Sequence, residues 1–203
     1  AAYAEKYDTF VIVDEVYSQI IYKPYTYTYF SELPHMHDRT ICVGSLSKTY
    51  SITGWRVGYI LGPEAVIDEI KKVHTFFTIS APSPLQEAAV TGLRFGGDYY
   101  DDLVKTYTEK RDILMKGLDD LGLKHNIPQG AFYLLVDISE FGYEKDTEFC
   151  EDLVRKVGVG SVPGSTFFAE DVQKYVRLHF AVNNETLYAA LNRLENIRSK
   201  LTR

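Results

Sequence analysis

Three short apolar runs stand out in the first third of the chain. They cover residues 9–13, 40–44 and 57–61 and are rich in Val and Ile. Because polar residues do not alternate with apolar ones in these runs, the pattern predicts strands of a sheet that is covered on both faces.

Helical patterns take over after the third run. Pro63 and Glu64 favour the start of a helix, and apolar residues then recur at helical spacing. A shorter helix is predicted over residues 85–95. A long helix is predicted from the break at residues 96–98 to about residue 121. Its buried stripe is predicted to consist of Leu103, Tyr107, Leu114, Leu118 and Leu121.

The second half of the chain mixes strands and helices. Strands are predicted over residues 131–136 and 175–182, and a helix over residues 147–157. A last helix starts after Asn183, which is a suitable cap. The apolar face of this helix consists of Leu187, Leu191, Leu194 and Ile197.

This order of elements predicts two domains. We place their boundary near Gly97, so residues 1–97 form the first domain and residues 98–203 a smaller α+β domain. The chain opens on what reads as the tail of a helix, at residues 2–7. We therefore expect it to be the C-terminal part of a longer polypeptide.

Composition and charge narrow the function classes. The 203 residues are 45% hydrophobic and carry a formal net charge of −6, which argues against a nucleic-acid surface or a polybasic membrane contact. No apolar run approaches the roughly 18 residues that a membrane span needs. Cys42 and Cys150 lie far apart without nearby His, so neither a disulfide framework nor a metal site is indicated. We expect a cytoplasmic globular protein.

The strongest candidate for chemistry follows the second predicted strand. Ser45, Ser47 and Lys48 lie just past the carboxyl end of that strand, where open α/β sheets bind ligands. Arg56, eight residues after the lysine, offers a planar group suited to phosphate. The alternative is a solvated surface lysine in a serine-rich turn.

A second candidate follows the first strand. Asp14 ends an apolar run, where a carboxylate is costly unless a partner awaits it, and Tyr17 adds a hydroxyl from the same loop. Asp14 could face a cationic ring nitrogen, or it could cap the turn that follows. If the first two strands are neighbours, the acid and Lys48 would converge on one pocket.

A third candidate is an arginine inside a strand. Alternation along residues 175–182 places Arg177 and His179 on one face, opposite an apolar face. Arg177 could clamp a substrate carboxylate with two hydrogen bonds, or it could be an exposed edge-strand residue. We interpret His179 as structural.

Taken together, these features resemble the fold-type-I, pyridoxal-phosphate-dependent aminotransferases of class I/II. The resemblance covers nearly the whole chain, because six elements occur in the same order and spacing. They are Asp14 with Tyr17, the Ser45–Lys48 motif with Arg56 in Gly-Trp-Arg-Val-Gly, Ser-Pro-Leu-Gln at 83–86, Gly-Ala-Phe-Tyr at 130–133, Val-Pro-Gly-Ser-Thr-Phe at 162–167, and Arg-Leu-x-Phe-Ala from Arg177.

The resemblance implies a fold and a set of roles. The fold would be α/β: part of the large cofactor-binding α/β/α domain, with a mostly parallel sheet, followed by a smaller α+β domain. The reaction would be amino transfer from an amino acid to a 2-oxo acid, in a homodimer. The resemblance implies that Lys48 attaches the cofactor as a Schiff base and transfers protons. Asp14 would contact the ring nitrogen, Tyr17 the ring phenolate, and Ser45 and Arg56 the phosphate. Ser47 would be a further cofactor contact, and Arg177 would bind the substrate carboxylate.

Two departures from the family pattern carry expectations. The N-terminal part of such enzymes is absent, so we expect this chain alone to hold the cofactor weakly and to be inactive. Residues 74–80 lack the arginine of aspartate-selective members, and Phe76 and Phe77 there suggest aromatic or aliphatic substrates. Two alternatives stay open: a pyridoxal-phosphate lyase that cleaves a carbon–sulfur bond, and a non-catalytic module of the same fold.

Overall fold

The computed structural model describes residues 1–202 of the chain. It divides into two compact units, Ala1–Val104 and the residues from Lys105 onward. The division falls inside a long helix, seven residues after the boundary that we placed near Gly97 from the sequence. None of the helices in the part described combines the length and apolar character that crossing a bilayer requires.

A three-stranded sheet forms the centre of the first unit. Its strands are β1 (Val11–Asp14), β2 (Thr40–Ser45) and β3 (Gly58–Leu61), in the order β1-β2-β3. The three strand predictions are confirmed to within two residues. β1 and β2 run parallel, whereas β3 runs antiparallel to β2. β3 runs antiparallel because the connection from β2 contains only a one-turn helix and a 3-10 turn, and no long crossover helix that would return the chain to the end of the sheet where β2 begins.

One face of this sheet is open within residues 1–202. Ile12 and Asp14 point to the same side of β1, and the strand register adds Val43 and Ile60 to that side. Ile12 is 72% exposed, and Val43 and Ile60 are also exposed. The expectation of a sheet covered on both faces is therefore wrong for the described residues. A continuous apolar run shows that a strand could be buried on both faces, but it does not show that other segments cover them.

Helices precede and follow the strands of this sheet along the chain. α1 (Ala2–Lys6) precedes β1, and α2 (Leu46–Thr49) follows β2 directly. α3 (Glu64–Phe77), α4 (Ser83–Leu93) and α5 (Gly97–Asp120) come after β3, as the sequence pattern predicted. Short 3-10 turns occur at Phe30–Glu32, His37–Arg39, Thr53–Trp55, Ser139–Phe141 and Gly164–Phe167.

The second unit is built on an antiparallel sheet. β4 (Tyr133–Asp137), β5 (Val162–Pro163) and β6 (Tyr175–His179) lie in the order β4-β6-β5. α6 (Asp146–Asp152) continues into a π-helical turn at Leu153–Val157. The chain then adds α7 (Asn184–Leu194) and α8 (Ile197–Leu201). Both strand predictions and both helix predictions for this half are confirmed, although β6 ends three residues early and β5 was missed.

The core of the second unit follows the predicted alternation. Val176, Leu178 and Phe180 are all buried on one side of β6. Asn183 caps α7 as predicted, because its Oδ1 accepts the Thr186 N–H at 2.8 Å. Other buried side chains of this core are Leu114 and Leu118 from α5, Leu134 and Val136 from β4, Phe141, Phe149 from α6, and Leu187, Leu194 and Ile197.

Candidate active site

The lysine that the sequence singled out lies on a one-turn helix at the end of β2. Ser45 ends β2 and caps α2, since its Oγ accepts the Ser47 N–H at 3.1 Å. Lys48 is the third residue of α2 and is half-buried. The local sequence thus turns the chain sharply at the carboxyl end of the strand and presents the lysine there.

Apolar packing holds α2 in place. Leu46, Val57 and Ala89 form a buried cluster, which joins α2 to the start of β3 and to α4. Ser47 is itself only 5% exposed, and its carbonyl accepts the Ile52 N–H at 3.1 Å. Among the predicted cofactor ligands, Ser47 is therefore the one that the fold buries.

A tyrosine that the sequence reasoning did not select also holds α2. The Tyr99 hydroxyl, on α5, donates to the Thr49 carbonyl at 2.7 Å, one residue after Lys48. The hydroxyls of Tyr50 and Tyr100 are 2.9 Å apart, and burial raises the pKa of Tyr50 well above its usual range. The Tyr99-Tyr100 pair after a glycine break was the only sequence signal for this support.

Asp14 lies at the same edge of the sheet as Ser45. Because β1 and β2 are parallel and adjacent, with Asp14 opposite Val43, their carboxyl ends meet at that edge. The Asp14 side chain is exposed, and its Oδ1 accepts the Val16 N–H at 3.1 Å. Asp14 therefore does cap the turn, as the alternative predicted. This role uses one carboxylate oxygen, and the side chain remains exposed to a ligand. Tyr17 is half-buried in the turn that follows.

Arg56 completes the polar groups of this edge. The Leu46 N–H donates to the Val57 carbonyl at 3.3 Å, which ties the segment beside Arg56 to the start of α2. Arg56 has a φ of 56°, and its exposed guanidinium donates from Nη1 to the Thr53 carbonyl at 2.9 Å. A left-handed backbone costs a residue with a Cβ about 1 kcal/mol, so the surrounding turn imposes this conformation.

The opposite face of the same sheet holds a buried acid. Glu15 is 8% exposed, and its Oε1 has no hydrogen-bond partner within residues 1–202. Burial raises the pKa of Glu15, against the lowering effect of a hydrogen bond with the Cys42 thiol. Neighbouring positions in a strand point to opposite faces, so Asp14 and Glu15 have contrasting environments.

The ring of Tyr59 lies across Gly44 on that same face. The two residues are paired between β2 and β3, and a Cβ on Gly44 would overlap the tyrosine ring. Glycine is thus required immediately before Ser45 for the ring to adopt this position. Burial raises the pKa of Tyr59, and the nearby Glu15 carboxyl adds to the effect.

In the second unit, Arg177 is held between two aromatic rings. Its guanidinium carbon is 4.2 Å from the ring centre of Tyr133 and 4.0 Å from that of Phe167. Arg177 is opposite Leu135 on one side and Val162 on the other, so β6 is the central strand of its sheet. The edge-strand alternative for Arg177 is therefore wrong, because β5 pairs along the side that the sequence left open.

The turn that carries Phe167 is anchored by a buried carboxylate. Asp146 is 0% exposed, and its two oxygens accept the Ser165 N–H at 2.6 Å and the Ser165 hydroxyl at 2.9 Å. Gly164 leaves no room for a Cβ, which would overlap the Tyr175 carbonyl. Sequence reasoning missed Asp146, whose partner lies nineteen residues away along the chain.

Comparison with known proteins decides the family. The model of the aminotransferase class I and II family matches residues 1–194. The chain belongs to this family. The methionine aminotransferase of Escherichia coli is 38% identical over 192 residues, which are 94% of this chain and 50% of that protein. A bifunctional aspartate aminotransferase and glutamate/aspartate-prephenate aminotransferase of Petunia hybrida is 39% identical, over 91% of this chain and 41% of its own length.

Solved structures agree with the family assignment. The N-succinyldiaminopimelate aminotransferase of Mycobacterium tuberculosis superposes with a TM-score of 0.91 at 29% identity, over 96% of this chain and 51% of that one. The α/β fold class of the aminotransferase family is therefore confirmed. The chain spans about half the length of the relatives that it matches.

The residues of the first unit fit the cofactor of this family. Class I and II aminotransferases depend on pyridoxal phosphate, which has an aldehyde, a ring nitrogen and a phosphate to be bound. The sheet edge supplies an amine from Lys48, a carboxylate from Asp14, and hydroxyl and guanidinium donors from Ser45 and Arg56. The open apolar side of the sheet that Asp14 shares is suited to a flat ring.

Proposed function

We propose that the protein carrying this chain is an aminotransferase that moves the amino group of an L-amino acid to a 2-oxo acid with pyridoxal phosphate. The observation that carries the proposal is the placement of Lys48 on a fixed turn, at the sheet edge where Asp14 also ends its strand. Family membership supports it independently.

Each residue of the edge has a task that its chemistry supports. Lys48 is the attachment point for the cofactor aldehyde and carries a proton to and from the substrate α-carbon. Asp14 holds a proton on the ring nitrogen, and Tyr17 donates a hydrogen bond to the ring oxygen. The cofactor, when bound, supplies an electron-accepting ring for the charge that develops at the α-carbon. Ser45 and Arg56 are proposed to bind the cofactor phosphate, and Ser47 is proposed as a further cofactor contact.

Arg177 is proposed to bind the substrate carboxylate. No carboxylate of residues 1–202 forms an ion pair with it, so its N–H donors are available for a ligand. Two rings contact the guanidinium and limit its movement, and its planar fork suits a bidentate partner such as a carboxylate. Removing one side of such a charged pair costs about 2–4 kcal/mol, so Arg177→Ala should weaken substrate affinity by roughly 30- to 900-fold.

For the substrate we propose an aromatic or aliphatic amino acid. Residues 74–80 contain no arginine to bind a second carboxylate. Phe76 and Phe77, at the end of α3, are 91% and 85% exposed and could present an apolar surface to a ligand. Comparing kcat/KM for phenylalanine, methionine and aspartate, with 2-oxoglutarate as acceptor, tests this proposal. A preference for aspartate would contradict it.

We further infer that the 203 residues alone hold the cofactor weakly, that the active protein is a homodimer, and that it is cytoplasmic. Weak cofactor binding is inferred because the chain spans only half the length of its relatives. The cytoplasmic location is supported by two cysteines that are buried and not joined in a disulfide. Titration with pyridoxal phosphate measures the cofactor affinity, and light scattering after gel filtration measures the oligomeric state. Micromolar affinity or a monomeric active enzyme would contradict them.

The decisive experiment maps the cofactor to one lysine. The protein is incubated with pyridoxal phosphate and reduced with borohydride, and its peptides are examined by mass spectrometry. We expect the label on Lys48, its loss in Lys48→Ala, and its retention in Lys71→Ala, where the altered lysine is exposed on α3 and pairs with Asp68. A label that survives Lys48→Ala would refute the assignment. Release of pyruvate and ammonia without amino transfer would indicate a lyase instead.

A further inference from the structure

Asp146 is a buried carboxylate that the proposed chemistry does not use. A buried charge is costly unless hydrogen bonds compensate it. The oxygens of Asp146 satisfy this need through a single residue, accepting both the N–H and the hydroxyl of Ser165. The first residue of α6 is thus tied to the turn at Gly164–Phe167.

That turn positions one of the two aromatic rings that contact Arg177. Phe167 is the last residue of the turn, and its ring centre is 4.0 Å from the Arg177 guanidinium carbon. The other ring, Tyr133, comes from β4 and is fixed by strand pairing. Phe167 itself is half-exposed, so packing alone does not hold it. Its position depends on the turn, which two hydrogen bonds from Ser165 tie to Asp146.

We propose that Asp146 is a positioning residue for the substrate carboxylate: through Ser165 it fixes the turn that lays Phe167 against the Arg177 guanidinium. A guanidinium held between two rings has fewer side-chain conformations to lose when a carboxylate binds. The inference rests on the proposed role of Arg177. It adds that substrate affinity is set by a carboxylate that never touches the substrate.

Three variants test the chain of contacts step by step. Asp146→Asn keeps one acceptor oxygen, Ser165→Ala keeps the backbone N–H bond, and Phe167→Leu removes the ring. Losing one cation–π contact should raise KM for the amino acid about three- to fivefold, with kcat changed less than twofold. The matched control is Glu140→Gln, which weakens the 2.9 Å pair with Arg198 in the same unit, away from Arg177.

A readout without substrate comes from proton NMR of the arginine side chains. Stacked rings shift the δ-protons of Arg177 upfield by ring currents, and Arg177→Lys identifies the signal by its loss. We expect that shift to shrink in Phe167→Leu, Ser165→Ala and Asp146→Asn, and to stay unchanged in Glu140→Gln. If Asp146→Asn does not fold, Ser165→Ala decides alone.

The outcomes separate this inference from the proposed function. If the Asp146 and Ser165 variants are folded and leave both the Arg177 signal and KM at wild-type values, the inference is wrong. If Arg177→Lys leaves KM unchanged, the carboxylate role of Arg177 is wrong, and the inference falls with it, whatever the spectra show. A rise in KM for Arg177→Lys, together with a rise in KM and a smaller upfield shift in the Asp146 and Ser165 variants, supports both.

Discussion

Gly164 offers a sharp test of how the turn beside Arg177 is built. A Cβ at this position would lie 2.9 Å from the Tyr175 carbonyl carbon and Cβ and would overlap the carbonyl oxygen. These are mostly backbone atoms of β6, which cannot rotate away as a flexible side chain can. Gly164→Ala must therefore shift either the turn or the strand.

The magnitude of this effect follows from the crowding. Forcing one methyl group into a packed site costs about 1–3 kcal/mol in unfolding free energy. With a urea m-value of about 2 kcal/mol/M, the unfolding midpoint should fall by roughly 0.5–1.5 M. Because the displaced turn carries Phe167, the KM of the amino acid substrate should also rise, whereas covalent cofactor labelling of Lys48 should not change.

Gly160→Ala is the matched control. A Cβ at Gly160 would have no heavy atom within 4 Å, so this substitution should change stability by no more than about 0.5 kcal/mol. Urea unfolding followed by circular dichroism gives both midpoints under one set of conditions. Equal midpoints for the two variants would refute the argument that backbone crowding makes Gly164 necessary.

Three further predictions concern residues outside the turn. Tyr99→Phe loses the 2.7 Å bond to the Thr49 carbonyl and should lower the unfolding free energy by about 1 kcal/mol, measured by urea titration; no change would show that the bond contributes nothing. Burial raises the pKa of Glu15 above 4.5, so its ionisation destabilises the fold as pH rises above that value, and Glu15→Gln should flatten this fall in stability. Burial opposes the effect, but hydrogen bonds from Ser139 lower the pKa of Asp137 below 3.8. The stabilisation is therefore present above pH 3.8 and is lost as pH falls further, so Asp137→Asn should destabilise at pH 7 and progressively less below pH 3.8 in thermal melts.

The elements that sequence predicts well are those with local causes. Helical spacing and caps lie within a few residues of one another, so α3 and α5 begin near their predicted positions. Alternation along β6 likewise separated Arg177 from the buried Val176 and Leu178 correctly. The motif around Lys48 belongs to the same class, because a serine cap and the end of a strand suffice to form it.

Pairing between segments that are distant in sequence could not be predicted. β5 is only two residues long, and it makes β6 a central strand solely by pairing with it. The antiparallel direction of β3 depends on how the segment between β2 and β3 packs, through Leu46 in α2 and Val57, rather than on β3 itself. Neither property leaves a periodic signal in the strand that it affects.

The candidate site shows the same division. Lys48 and Ser45 are neighbours in sequence, and a local motif finds them. The environment of Arg177 joins three separated segments, through Tyr133, Phe167 and Asp146, and no spacing rule connects these positions. Sequence reasoning could therefore name the arginine but not the groups that orient it.

The contact of the Tyr59 ring with Gly44 has an evolutionary consequence. A side chain added at position 44 would overlap the ring where it lies now, so such a mutation requires the tyrosine to rotate away or to be replaced by something smaller. In homologous lineages, any residue other than glycine at position 44 should thus occur with a displaced or smaller side chain at position 59.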